Sequence, residues 1–292
     1  AVNSVKDKSL LKEATIYVSL EPCSHFGKTP PCCDLIIANE IPNVVVGTVD
    51  PFAKVAGNGI KKLVKSGKNV TVGILEEECN ELNKRFFTFH QKKRPFIILK
   101  WAETADGFIA PISKEEKSPV WITNQYSRQL VHKWRTEEQA ILVGTNTVLD
   151  DNPKLDARDF SGNNPIRIVL DKSGKISENY HVKNNSQKTI FITESENFIS
   201  TENCIYENAI FDIHLISSIC DILYKNDIQS VIIEGGSKTL QSFIDANLWD
   251  EARVFKGDTT FQNGILAPNI SGNPVAGFDI MNDELKIFKN YD

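Results

Sequence analysis

Apolar runs of strand length alternate with helical patterns through most of this chain, and that rhythm constrains the fold more than any single motif. Residues 15–20 (TIYVSL) predict a strand, and 31–40 predict a helix with Pro31 in its first turn. A second buried strand follows at 43–49 (NVVVGTV), then a helix over 59–66, a strand at 69–73 and a helix over 76–89. The polar stretch 90–94, closed by Pro95, reads as a linker. Beyond it the alternation restarts with strands at 95–101, 140–144, 166–171, 189–193 and 230–234, and helices over 125–136, 213–225 and 237–247. Strand-helix-strand order of this kind implies parallel sheets covered by helices. The expectation is two α/β domains, 1–94 and 95–292, the second about twice the first.

Composition narrows the function classes. A chain of 292 residues that is 41% hydrophobic and 24% charged can bury a real core. Its formal net charge of −5 argues against a nucleic-acid partner held on a basic surface. The short basic run 91–94 fits a solvated linker. No apolar run approaches the roughly 20 residues that span a bilayer, so no membrane association is expected. The opening AVNSVKDKSLLKEA is not a secretory signal. Six cysteines are too few for a disulfide scaffold at this length, and Cys23, Cys32 and Cys33 crowd together. Clustered thiols suit metal binding in a reducing cytoplasm.

The densest chemistry lies in LEPCSHFGKTPPCC, residues 20–33. Thiolates bind zinc well, and a helix start favours their charge. Cys23 and Cys32 are the candidate ligands, with buried structural cysteines as the alternative. Cys33, beside Cys32, should face the core.

In the second half the informative residues are polar groups at strand ends, where open α/β sheets bind ligands. FIILKWAETADGFIA places Lys100 at such an end, although a Lys there is also an ordinary edge residue. In VWITN, Thr123 begins a helix and could cap it. AILVGTNTVLDDNP offers Gly144 and Thr147 in a turn able to present N–H groups to a phosphate, and residues 150–153 read as a turn. SVIIEGGSKTLQSF ends a strand in Glu234-Gly235-Gly236 and opens a helix at Ser237. Two glycines allow close approach of a pyrophosphate, though a structural turn has the same spelling. The Gly-x-Gly-x-x-Gly fingerprint is absent, so a Rossmann domain is not supported.

The loop EPCSHFGKTPPCC resembles the zinc site of the cytidine-deaminase superfamily. With LKWAETADG, ILVGTNTVLDDNP and IEGGSKTLQSF, it is similar to the bifunctional riboflavin-biosynthesis deaminase/reductase family over nearly the whole chain. The resemblance implies a cytidine-deaminase-like domain followed by a dihydrofolate-reductase-like domain. It implies Cys23 and Cys32 as Zn2+ ligands, and His25, Lys28 and Asp50 as contacts to a pyrimidine ribosyl-phosphate. Phe52 stands where the family usually has Asn. It implies Lys100, Asp151 and Glu234 as the reductase's catalytic groups, with Thr123 on the substrate. Gly144, Thr147, Gly235 and Gly236 would lie along NADPH. The family's His-Ala-Glu triplet, which supplies the third ligand and the proton shuttle, does not occur in residues 1–292. The expectation is a deaminase domain short of roughly fifty residues and inactive, before a working reductase in a cytoplasmic homo-oligomer. Glu21 is a remote substitute acid. The rival readings are a non-catalytic zinc- and nucleotide-binding regulator and a dihydrofolate-reductase-like enzyme for another substrate.

Overall fold

The computed structural model describes every residue except 28, 52–55, 114–119 and 292. The chain divides into two compact units, Ala1–Lys93 and Arg94–Asp292.

In the first unit, β1 (Thr15–Leu20), β2 (Asn43–Thr48) and β3 (Asn69–Val72) form a parallel sheet in the order β1-β2-β3. Helices α1 (Cys32–Ala38) and α2 (Asn58–Lys65) make the crossovers. Val44 and Val46 from β2 bury with Cys33, Ile36 and Leu63, so Cys33 is a core residue. The expected single helix over 76–89 is two, α3 (Glu76–Leu82) and α4 (Lys84–Phe87). Asn83 separates them, donating both its backbone N–H and its side-chain amide to the Cys79 carbonyl. The chain then widens into a π turn over Thr88–Lys92.

The second unit runs β4 (Phe96–Glu103), β5 (Phe108–Ala110), α5 (Gln125–Glu137), β6 (Ala140–Gly144), α6 (Thr145–Asp151), β7 (Ile166–Leu170), β8 (Thr189–Thr193) and β9 (Cys204–Asn208). It continues with α7 (Leu215–Lys225), β10 (Ser230–Ile233), α8 (Ser237–Asp245), β11 (Glu251–Lys256), β12 (Ile265–Leu266), β13 (Ala276–Ile280) and β14 (Asp283–Lys289). Nine strands form one sheet in the order β13-β14-β11-β4-β10-β6-β7-β8-β9. From β11 to β9 all neighbours are parallel, whereas β14 and β13 close one edge antiparallel.

Strand alternation sorts the core. Ile97, Leu99, Leu142, Val231 and Ile233 pack with Ile219, Leu223, Leu240 and Phe243 of α7 and α8. The intervening Phe96, Ile98 and Ile232 pack with Val131 and Trp134 of α5. Each fully buried Ile or Leu here contributes about 2 kcal/mol.

Three expectations are corrected. The basic run 91–94 is not solvated throughout: Arg94 is buried, pairing with both Asp250 oxygens at 2.6 and 2.8 Å. Asp250 also accepts the Ile97 N–H at 2.8 Å, tying the start of β4 to the start of β11. Asp151 does not belong to a turn but ends α6, which fully buried Val148 anchors to the core; the turn comes at Asn152, at φ 41°. Thr123 does not cap α5. Asn124 does, accepting from the Tyr126 and Ser127 N–H groups at 2.9 and 3.1 Å.

Candidate active site

The parallel register pairs Ile233 with Leu99, so the next residues, Lys100 and Glu234, come side by side. Glu234 stands just past the end of β10, whereas Lys100 is not at a strand end as expected: β4 runs on to Glu103, paired with β11. Their charged atoms stand 3.9 Å apart. A third member comes from α5. Arg135 clasps Glu234 with two bonds, Nε to Oε1 at 3.1 Å and Nη2 to Oε2 at 2.8 Å, and its Nη1 donates to the Asp156 carbonyl at 3.0 Å. Burial works to raise the Glu234 carboxyl, but the Arg135 guanidinium and the Lys100 ammonium outweigh it and hold the group at about 2. Burial pushes the Lys100 ammonium below the ordinary lysine value against the pull of Glu234, and Arg135 pushes the same way.

These groups line a cavity of about 1280 Å³. Lys100, Thr123, Gly144, Thr147, Asp151, Glu234, Gly235 and Gly236 all reach it, so the eight residues expected in the reductase half share one space. Sequence reasoning missed its basic wall. Arg128, His132 and Arg135 recur at spacings of four and three along α5, which puts them on one helix face, and all three line the cavity with Arg158. That spacing was readable once α5 was placed, but nothing local told which face met the ligand. Arg128 donates to the Thr123 carbonyl at 2.6 Å and lies 4.7 Å from the Trp121 ring centre, so it fixes the segment that carries Thr123.

Gly144 and Thr147 do not lie in a turn as expected: Gly144 ends β6 and Thr147 is in the first turn of α6, which meets the turn after β10 at the cavity. The Gly236 N–H donates to the Thr147 hydroxyl at 3.1 Å. A Cβ on Gly144 would come within 2.9 Å of Thr239 Oγ1, and one on Gly235 within 2.9 Å of Thr239 Cβ, so these backbones approach where only glycine fits. Gly236 caps α8 with no side-chain acceptor, leaving the first N–H groups of that helix open toward the cavity.

In the first unit, Cys23 and Cys32 do come together. The Cys32 N–H donates to the Cys23 sulfur at 3.2 Å, and burial followed by the neighbouring Cys23 thiol raises the Cys32 thiol. His25 is exposed and Asp50 buried, while Lys28 and Phe52 lie outside the described residues. Among the described residues no three His, Cys, Asp or Glu side chains are placed to hold a metal ion. Two thiols fall short of the three protein ligands of a catalytic zinc, so the residues present do not fit a working zinc centre. Glu21 is not a free acid: it is buried and accepts from the backbone N–H groups of Asp50, Gly57, Gly59 and Ile60 at 2.8 to 3.3 Å.

No described helix is long and apolar enough to cross a membrane. Residues 95–259 match the RibD C-terminal domain family. The chain is 38% identical over 288 residues to the riboflavin biosynthesis protein RibD of Aquifex aeolicus, covering 95% of this chain and 77% of that protein. It is 35% identical over 285 residues to the RibD protein of Bacillus amyloliquefaciens, covering 94% and 75%. The solved structure of a diaminohydroxyphosphoribosylaminopyrimidine deaminase/5-amino-6-(5-phosphoribosylamino)uracil reductase from Thermotoga maritima superposes with a TM-score of 0.83 at 38% identity, covering 94% of this chain and 79% of that one. The chain therefore belongs to the RibD family of riboflavin-biosynthesis proteins.

Proposed function

We propose that the second unit is an NADPH-dependent reductase that converts 5-amino-6-(5-phosphoribosylamino)uracil to its ribitylamino product. The observation that carries this reading is the convergence of the Lys100–Glu234–Arg135 cluster and the glycine-edged turns on one cavity. Residues 144–147 and 235–237 fit a dinucleotide: they edge the cavity together, and the α8 N-terminus, with no side-chain cap, offers its N–H groups to a pyrophosphate. NADPH, when bound, supplies the hydride that reduces C1 of the opened ribose.

The protein's own groups orient and neutralise. Lys100 holds a proton at Nζ beside the sugar, where it orients a ribose oxygen and stabilises a developing oxyanion. Glu234 stays ionised and accepts from sugar hydroxyls or ring N–H groups, with Thr123 as a further contact in the same cavity. Asp151, at the end of α6, is a further acceptor. Arg158 pairs with Asp156 at 2.6 Å and is nearly half exposed, which leaves its remaining N–H donors free for the substrate's phosphate. In the first unit, Cys23 and Cys32 are two ligands of a deaminase-type zinc site, with His25, Lys28 and Asp50 as its substrate contacts. That unit supports no deamination with the residues present.

Absorbance at the NADPH band, followed with the deaminated substrate, tests the reductase. Turnover is expected, and Lys100→Met is expected to lower kcat about a hundredfold while NADPH still binds. No oxidation by the intact chain, or an unimpaired Lys100→Met, refutes this assignment.

A further inference from the structure

His132 is buried in the middle of the basic face of α5 at the cavity wall, and the chemistry above gives it no task. Its Nε2 lies 3.2 Å from Asp159 Oδ2, while its Nδ1 is buried with no hydrogen-bond partner. A carboxylate only accepts, so this contact suits a proton on Nε2, with Nδ1 the bare nitrogen of a neutral ring. A second proton would sit on a buried nitrogen near Arg135; burial and that guanidinium both lower the ring's affinity for it.

Two contacts from α5 reach the same loop, and a third lies within it. Arg135 holds the Asp156 carbonyl at 3.0 Å, Asp156 holds Arg158 at 2.6 Å, and His132 holds Asp159 just beyond. Arg158 thus lies between two anchors on one rigid helix. We propose that His132 is a positioning residue of the reductase, fastening the 156–159 loop through Asp159 so that Arg158 meets the phosphoester of the substrate. This rests on the reading that the cavity takes a phosphorylated sugar. His132 touches neither substrate nor cofactor; it acts through the loop.

Steady-state kinetics on the intact chain test it. His132→Leu and Asp159→Ala are each expected to raise KM for the ribosylamino-uracil phosphate about tenfold, with kcat within about twofold. The double variant is expected to be no worse than either single one, because both cut the same link. His132→Gln, whose side-chain amide N–H can reach Asp159, is expected to recover most of the affinity. Equal damage from Gln and Leu, a fall in kcat at unchanged KM, or multiplied effects in the double variant overturns the proposal. Asp159 is half exposed, so Asp159→Ala decides the matter if His132→Leu does not fold. Calorimetry with ribose 5-phosphate separates this proposal from the reductase reading. A chain that oxidises no NADPH yet binds ribose 5-phosphate with the same ranking of variants defeats the reductase reading alone. Equal affinity across all the variants defeats the role of His132.

Discussion

Glu234 keeps its charge in a buried place because two cations face it, and that arrangement ties folding to pH. Its carboxyl is held at about 2, below its ordinary 4.5. The unfolded chain therefore binds the proton more readily in that interval, and stability falls as pH drops. The contribution is complete above pH 4.5 and is lost as pH falls through about 2. Glu234→Gln is expected to cost about 3 kcal/mol at pH 7, since it leaves Arg135 buried without its counter-charge. Urea unfolding at pH 7 and pH 3 checks this: the gap between wild type and variant should narrow at the lower pH. Lys100 and Glu234 were legible as candidates because polar residues at the ends of apolar runs stand out. Arg135 was not, because 99 residues separate it from its partner and only the fold brings them together.

At the scale of elements, the parallel strands β4, β6, β7, β8 and β10 were readable because they spell continuous apolar runs, as in Ile97, Ile98 and Leu99, whereas the parallel β9 and β11 were not, β9 being half-buried and β11 carrying Glu251 and Arg253. Nor were the strands beyond β11. β13 is short, lies at the sheet edge and leaves Phe278 more than half exposed, so it has neither apolar continuity nor clean alternation. α6 hid behind Asp-Asp-Asn-Pro, a turn composition that the burial of Val148 overrides until Asn152. α5 organises the site and is itself held from outside. Its cap Asn124 donates to the Ile280 carbonyl, and Asp283 accepts the Asn124 N–H at 2.9 Å and the Ser127 hydroxyl at 2.5 Å. Asn124→Ala is expected to cost about 1 kcal/mol or somewhat more, because it removes both the cap and the amide bond to the Ile280 carbonyl while leaving the backbone tie to Asp283. Thermal unfolding would show it as a lowered Tm, with a raised substrate KM if α5 shifts.

For the whole molecule, the alternating pattern pointed to two α/β parts with parallel sheets; of the two compact units, the first has a parallel sheet and the second a mixed one with an antiparallel edge. Among its described residues the first brings together two thiols and no third ligand, so the expected outcome with the undeaminated pyrimidine is no release of ammonia, with or without added zinc; an ammonia assay settles it, and measurable deamination would refute the reading of that unit. The second is built around a spacing. Lys100 and Glu234 follow directly on Leu99 and Ile233, paired residues of adjacent strands whose main chains run about 4.8 Å apart. That distance is a property of the sheet and cannot drift without breaking backbone hydrogen bonds. A slip of one residue would turn either side chain to the opposite face. The cluster is accordingly organised when folding ends, before any ligand arrives, and an incoming sugar meets fixed partners instead of having to gather them.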